Sequence, residues 1–127
     1  MIRLKASPIK REDDDFPVSS YLRMLRTEHD LALRDIAAIL VVPIDTLEKL
    51  ESNTDMPWTL PASLMANIAC LFRLHIQAIE ALTRNSYDLA RFSGKLENKE
   101  LANVQMSTWL SEVRSELQRR EAEDLLT

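Results

Sequence analysis

Apolar residues recur every three or four positions along most of this chain, and few segments alternate strictly between apolar and polar residues. Spacing of three and four is typical of amphipathic helices, whereas strict alternation would indicate strands. The pattern predicts five helices, over about 18–29, 33–40, 44–52, 61–72 and 76–84. With one glycine, five prolines and no hairpin signal, the whole chain is predicted to be all-α.

The segment after these helices contains Gly94, which marks a break, and residues 97–126 then predict one long helix or two shorter ones. An apolar stripe runs along this segment. It consists of Met106, Trp109, Leu110, Val113 and Leu117. Such a stripe can form a dimer or partner interface by lying in an apolar groove, or it can pack back onto the chain's own core. The sequence leaves both interpretations open.

Residues 1–17 are predicted to form an N-terminal arm, because Pro8 and Pro17 interrupt any helix there. Four basic residues of the arm precede an acidic block at 12–15. The mixed charge favours a solvated tail. The alternative is a basic arm that contacts the backbone or minor groove of DNA.

Residues able to carry catalysis or bind a metal are sparse in this sequence. His29 and His75 have no metal-ligand spacing with each other or with Cys70, and a single glycine excludes a glycine-rich phosphate loop. Cys70 lies in an apolar run and is expected to be a buried free thiol. We therefore expect no enzyme, no cofactor and no metal. A signal peptide or membrane span is not evident, so a cytoplasmic location is expected.

The stretch 33–52 predicts two short helices joined by a tight turn. Residues 21–82 as a whole resemble the Cro and phage-repressor helix-turn-helix proteins, often called the Xre family. The positions that carry the resemblance are Leu22, Leu25, Leu31, Ile36, Ala37, Leu40, Leu47, Leu50, Leu64, Ile68 and Leu71. The resemblance implies a five-helix lambda-repressor-like domain over residues 18–84. A helical extension for dimerisation or partner binding would then follow over residues 85–127.

The resemblance also implies roles for individual residues. Family members commonly pair an arginine of the first helix with a glutamate at the end of the third, and the matching residues are Arg26 and Glu51. The positions that contact bases correspond to Ile44, Asp45, Glu48 and Lys49. Lys49 can attract phosphate or guanine, Glu48 can accept a hydrogen bond from cytosine, and Ile44 can contact a thymine methyl group. Asp45 is repelled by phosphates, although it also suits the first turn of a helix.

The family's phosphate contacts are only partly matched. Ala32 and Leu33 replace the polar residues expected at the start of the second helix, which leaves Arg34, with Arg23 as a further candidate. Val41 replaces the turn glycine. The net charge is −4, and no basic cluster stands out along the sequence. Folding can nevertheless gather distant cations on one surface.

Two hypotheses of function follow from these observations. The first is a DNA-binding transcriptional regulator that acts on double-stranded DNA as a homodimer, through Arg23, Arg34, Ile44, Asp45, Glu48 and Lys49. The second is a protein-interaction module that keeps the fold, binds DNA weakly or not at all, and acts on a transcription or toxin-like partner. The acidic recognition helix and the missing phosphate contacts motivate the second hypothesis.

Overall fold

A computed structural model describes residues 16–126 of the chain, and within this range it contains only helices and their connections. The six α-helices are α1 (Val18–Glu28), α2 (Leu33–Leu40), α3 (Ile44–Glu51), α4 (Ala62–Phe72), α5 (Ile76–Phe92) and α6 (Lys99–Leu126). A short 3₁₀ turn at Pro57–Thr59 precedes α4. The prediction of an all-α chain is confirmed for the described part. The predicted arm, residues 1–17, lies outside it except for Phe16 and Pro17.

The core forms where α1, α3, α4 and α5 meet, and aliphatic side chains fill most of it. Tyr21 and Leu25 of α1 have no exposed surface, and α1 packs on both α3 and α5. Ile68 and Phe72 of α4 are almost as fully buried. The space left between α1, α2, α3 and α4 is about 10 Å³, which is no larger than a single water requires. The short helices α2 and α3 therefore rest on a closely packed base.

The connection between α2 and α3 is three residues long and makes a tight turn. Val41 ends α2 in the left-handed conformation, with φ 57° and ψ 53°. The amide of Val42 donates to the carbonyl of Ala37 at 3.0 Å, which closes the end of the helix. Ala37 itself is only 7% exposed, and its small side chain allows close packing at this junction.

Helix α5 is longer than the sequence predicted, since it continues past residue 84 to Phe92. Polar side chains explain why the apolar pattern missed its second half. Ser86 is buried, and its hydroxyl accepts a hydrogen bond of 2.9 Å from the amide of Val18. The hydroxyl of Tyr87 donates to the carbonyl of Lys99 at 3.0 Å. The helix thus runs through the expected boundary between residues 84 and 85, and the chain turns only at Gly94, with φ 73°.

Helix α6 is a single helix of 28 residues that covers α4, α5 and the 3₁₀ turn. Its apolar stripe faces this core. The residues Met106, Trp109, Leu110 and Val113 are buried, and Leu117 is half-buried. The indole of Trp109 donates a 2.8 Å hydrogen bond to the carbonyl of Leu60. Of the two interpretations that the sequence left open for these five residues, the dimer or partner interface and packing on the chain's own core, the structure shows the second.

One smaller expectation also differs from the structure. Cys70 is exposed on α4 rather than buried, because Ala66 and Ala69 occupy the inward positions beside it. None of the helices in residues 16–126 combines the length and apolar character needed to cross a bilayer.

Candidate functional site

The solvent-facing side of α3 carries the four residues predicted to contact bases. Leu47 and Leu50 point into the core and are at most 3% exposed, which fixes the orientation of this short helix. Ile44, Asp45, Glu48 and Lys49 are all exposed. The structure thus brings the four residues together on one helical surface that is open to a partner.

The pair of Arg26 and Glu51 joins α1 to the end of α3. The guanidinium Nε of Arg26 donates to Oε2 of Glu51 at 2.9 Å, and Nη2 donates to Oε1 at 3.1 Å. A third donor, Nη1, reaches the carbonyl of Leu31 at 3.2 Å. The Glu51 carboxylate is 9% exposed, and its hydrogen bonds raise the pKa of Arg26 above its ordinary value. Such a two-bond contact fixes direction as well as distance.

Arg23 lies one turn before Arg26 and contacts the same glutamate. Its Nη2 donates to the backbone carbonyl of Glu51 at 3.1 Å, and its Nε lies 3.7 Å from Oε1 of the carboxylate. A cation at this carbonyl complements the negative end of the helix dipole of α3. Arg23 remains 59% exposed, so it can contact an approaching partner while it holds the end of α3.

Lys49 and Asp45 form an ion pair on the exposed surface of α3. The ammonium of Lys49 lies 3.3 Å from the Asp45 carboxylate, and the side chains are 50% and 70% exposed. Exposed pairs of this kind contribute about 0–1 kcal/mol, because water screens them. Asp45 therefore offsets part of the positive charge of Lys49 in the free chain. Because the pair is weak, a phosphate could displace the aspartate at little cost.

The start of α2 combines a free cation with a carboxylate. Arg34 is exposed and makes no ion pair with any other described residue. Asp35, the next residue, accepts a 3.0 Å hydrogen bond from the amide of Ala32 and thereby caps the helix. This carboxylate occupies the helix end at which a phosphate would be attracted by the dipole. Of the two neighbours, only Arg34 favours an anionic partner.

Lys95 is a cation near α3 that sequence reasoning did not identify. Its ammonium donates to the carbonyl of Asn53 at 3.1 Å, just beyond the end of α3, although 42 positions separate the two residues. Asn53 has φ 61°, in the left-handed region that asparagine tolerates better than most residues. Since Lys95 lies in the linker between α5 and α6, no local pattern points to its position. The sequence contained no signal that could have revealed it.

The described residues contain no group of three or more histidine, cysteine, aspartate or glutamate side chains able to hold a metal ion. No protein-family model, no curated protein and no solved structure matches this chain. The resemblance to the Cro and phage-repressor proteins is therefore based only on the sequence positions named above.

Proposed function

We propose that this chain is a DNA-binding transcriptional regulator of the Cro and phage-repressor helix-turn-helix type, with α1 to α5 as its lambda-repressor-like part. The observation that carries the proposal is the exposed face of α3, which Arg26 and Glu51 hold against α1 through two hydrogen bonds. A helix held in this way can enter the major groove without bending away from its base. Its neighbour α2 would then lie across the phosphate backbone.

Backbone contact requires cations, and the proposed binding surface uses four exposed ones: Arg23, Arg34, Lys49 and Lys95. Arg34 has no ion pair within the described residues, and Lys95 contacts only a neutral carbonyl. Lys49 would exchange Asp45 for a phosphate. Because exposed ion pairs are weak, this exchange is compatible with binding driven by counterion release. The net charge of −4 then limits affinity rather than excluding it.

A homodimer is part of this proposal, because one short recognition helix covers few base pairs. Two copies would contact half-sites about 34 Å apart, or a multiple of that distance. The stripe on α6 is buried and cannot supply the contact between copies. Leu89 and Phe92, on the last turns of α5, are 44% and 81% exposed and are the better candidates.

A second candidate function is a protein-interaction module with little DNA binding of its own. Two carboxylates favour it, since Asp35 occupies the start of α2 and Asp45 neutralises Lys49. Both carboxylates would repel a DNA backbone at positions where binding needs attraction. Under this hypothesis the exposed face of α3 would bind a basic surface on a transcription or toxin-like protein.

Charge-reversal variants distinguish the two functions. Duplex DNA of random sequence is titrated with the wild type, Arg34→Glu and Lys49→Glu, while Arg84→Glu provides the same charge change on an exposed residue of α5. If DNA is the target, each α2 or α3 variant binds about tenfold more weakly than the wild type. The slope of log K against the logarithm of the salt concentration should also become shallower by about one unit. The Arg84 variant should stay within about twofold of the wild type.

The variant Asp45→Asn adds a test in the opposite direction. Removal of this carboxylate frees Lys49 and should strengthen DNA binding, because one repulsive charge disappears and one cation becomes available. Unchanged affinity in Arg34→Glu, Lys49→Glu and Asp45→Asn would contradict docking through α2 and α3. The protein-interaction module would then be the better account.

A further inference from the structure

We propose that residues 1–11 of this chain, the basic segment, dock on the turn between α2 and α3 of the same molecule and cover the surface assigned above to DNA. The basic segment lies outside the described residues. The proposal is therefore argued from the surface that would be covered, the sequence of the segment and the length of its tether. Docking is independent of the proposed function, whereas its consequence, control of access to DNA, rests on that function.

Exposed apolar side chains are concentrated at the α2–α3 turn. Ile39 is 52% exposed, Val41 is 87% exposed and Ile44 is 42% exposed, all within six consecutive residues. Elsewhere in the described part of the chain, large apolar side chains reach such exposure only near the end of α5 and in the first turns of α6. Apolar surface that is grouped in this way, rather than scattered, is typical of an interaction site.

Val41 adds a second observation at the same turn. A β-branched residue is strained at φ 57°, a conformation that glycine adopts without cost. The valine side chain gains almost no burial against the described residues to offset this strain. Strained residues of this kind cluster at ligand-binding and switch regions of proteins. A segment that packs against Val41 would give the side chain the burial that it lacks.

The charges around the turn indicate what would cover it. Together, α2 and α3 contain four acidic and two basic residues. Asp45 is 70% exposed, and Glu48 is exposed without an ion pair or hydrogen bond to another described residue. A complementary segment therefore combines aliphatic with basic side chains. The same turn of a second copy would instead bring like charges together.

The basic segment has this combination of side chains. It contains four basic residues and no acidic residue. Ile2, Leu4 and Ile9 are each followed directly by a lysine or an arginine. Every branched aliphatic side chain of the segment thus has a cation beside it, which matches an apolar turn bordered by carboxylates.

The tether is long enough to bring the basic segment to the turn. The described chain begins at Phe16, whose carbonyl accepts a 3.0 Å hydrogen bond from the side-chain amide of Asn85 on α5. From Leu4 to Phe16 an extended chain spans up to about 40 Å, whereas a small domain is about 30 Å across. A tether of this kind gives an effective concentration in the millimolar range, so a weak contact is sufficient.

The end of α5 offers a second apolar surface, formed by Leu89 and Phe92. Its charges fit the basic segment less well. The guanidinium of Arg91 lies 5.1 Å from the centre of the Phe92 ring, and Lys95 follows shortly after the end of the helix. Cations beside this surface disfavour a basic partner, so the α2–α3 turn is the better docking site.

A spin label on the basic segment tests docking in the full-length chain. The exposed Cys70 is first removed by Cys70→Ser, and a nitroxide is then attached at Ser7→Cys. Docking predicts that the nitroxide broadens the methyl NMR signals of Ile39 and Ile44. Reduction of the nitroxide should restore both signals. Signals that the nitroxide leaves sharp would overturn the proposal.

The matched control carries the same label together with Ile2→Asn and Leu4→Asn, which keep the charge and the length of the tether. Its Ile39 and Ile44 signals should be much less broadened. Equal broadening in the two proteins, or broadening of the Leu89 methyl signals alone, would overturn docking at the turn. Broadening between isotope-labelled chains and separate spin-labelled chains would also overturn it, because the segment would then lie on a second copy.

The consequence for DNA is measured with the unlabelled double variant Ile2→Asn/Leu4→Asn and a duplex of random sequence. If the basic segment covers the surface for about two-thirds of the time, its release should strengthen binding about threefold. All cations of the segment remain in the variant, so a segment that contacted DNA directly would give no gain. An unchanged affinity would overturn control of access to DNA. Docking in a chain that binds no duplex would instead overturn the proposed function alone.

Discussion

Arg26 of α1 and Glu51 of α3 meet through two hydrogen bonds of 2.9 and 3.1 Å, although 25 positions separate them in the chain. The contact fixes the last residue of α3 against the first helix. Since α3 has only eight residues, its packing and this one ion pair largely determine how its exposed face is presented. The pair is therefore a structural element of the candidate site rather than a part of its binding surface.

We expect Glu51→Ala to destabilise the fold, because it leaves a guanidinium that is only 24% exposed without its carboxylate. Fully buried pairs lose about 3–5 kcal/mol when one partner is removed, and the water that reaches Arg26 should reduce the loss to about 2 kcal/mol. Urea unfolding of the wild type and the variant measures this difference.

The control for this prediction is Glu123→Ala, which removes a carboxylate from an exposed pair with Arg119 on α6. Its effect should stay below about 0.5 kcal/mol. A double-mutant cycle with Arg26→Ala and Glu51→Ala should give a coupling well above that of the exposed pair. Equal losses for Glu51→Ala and Glu123→Ala would show that the α1–α3 contact contributes little.

Val41→Gly should stabilise the chain. Val41 has a branched side chain at φ 57° and is 87% exposed, so the wild type carries backbone strain without gaining burial. Relief of roughly 1–3 kcal/mol of strain exceeds the entropic cost of glycine, which is about 0.5–1 kcal/mol, and a net gain of about 1 kcal/mol is expected. Val42→Gly, at a half-buried neighbour without a positive φ, should destabilise instead. Thermal unfolding measures the midpoint temperature of both variants. A shift of the two midpoints in the same direction would contradict strain at Val41.

Substitutions of Trp109 test whether α6 belongs to the core. Trp109→Phe removes the donor to the Leu60 carbonyl and should cost about 1–2 kcal/mol. Trp109→Ala also leaves a large cavity and should cost about 3–5 kcal/mol. Val104→Ala, at a position of α6 that is 60% exposed, should change stability by less than about 0.5 kcal/mol. Chemical unfolding measures these free energies. Equal losses for Trp109→Ala and Val104→Ala would mean that α6 does not pack on the core in solution.

The carboxyl of Glu116 should titrate below its ordinary range. A hydrogen bond from Arg119 is the main cause of its lowered pKa, and the charges of Arg119 and Arg120 add to it. A lowered pKa in the folded state means that the contribution to stability is present above the unfolded pKa and is lost as pH falls through the folded value. NMR titration measures the pKa of Glu116 in the wild type and in Arg119→Gln. The pKa should rise in the variant, and an unchanged midpoint would contradict the hydrogen bond.

Local patterns in the sequence were sufficient to predict the short helices. The bounds of α2 match the prediction, and α3 ends one residue earlier than expected. Both helices show inward apolar residues at helical spacing, so the local pattern was sufficient to predict them, although packing on the core is needed to stabilise helices this short. The four residues of α3 named as base contacts come from the resemblance to the helix-turn-helix family and not from this pattern; all four are exposed.

Features that depend on distant residues could not be predicted in this way. In the second half of α5, Ser86 and Tyr87 form hydrogen bonds to partners on α1 and α6. The exposure of Cys70 and the position of Lys95 likewise depend on how helices pack. The α6 stripe had two consistent interpretations, and only the packing of α6 on α4 and α5 distinguishes them. Hydrophobic periodicity identifies an apolar face but does not identify what covers it.

The most direct test of the account is the binding of wild-type protein to a labelled duplex of random sequence, measured by fluorescence anisotropy at low and moderate salt. Contacts between phosphates and the cations around α3 predict measurable binding at about 50 mM salt that falls by at least an order of magnitude at about 200 mM. A flat titration at both concentrations, with folded protein, would contradict DNA binding by α2 and α3.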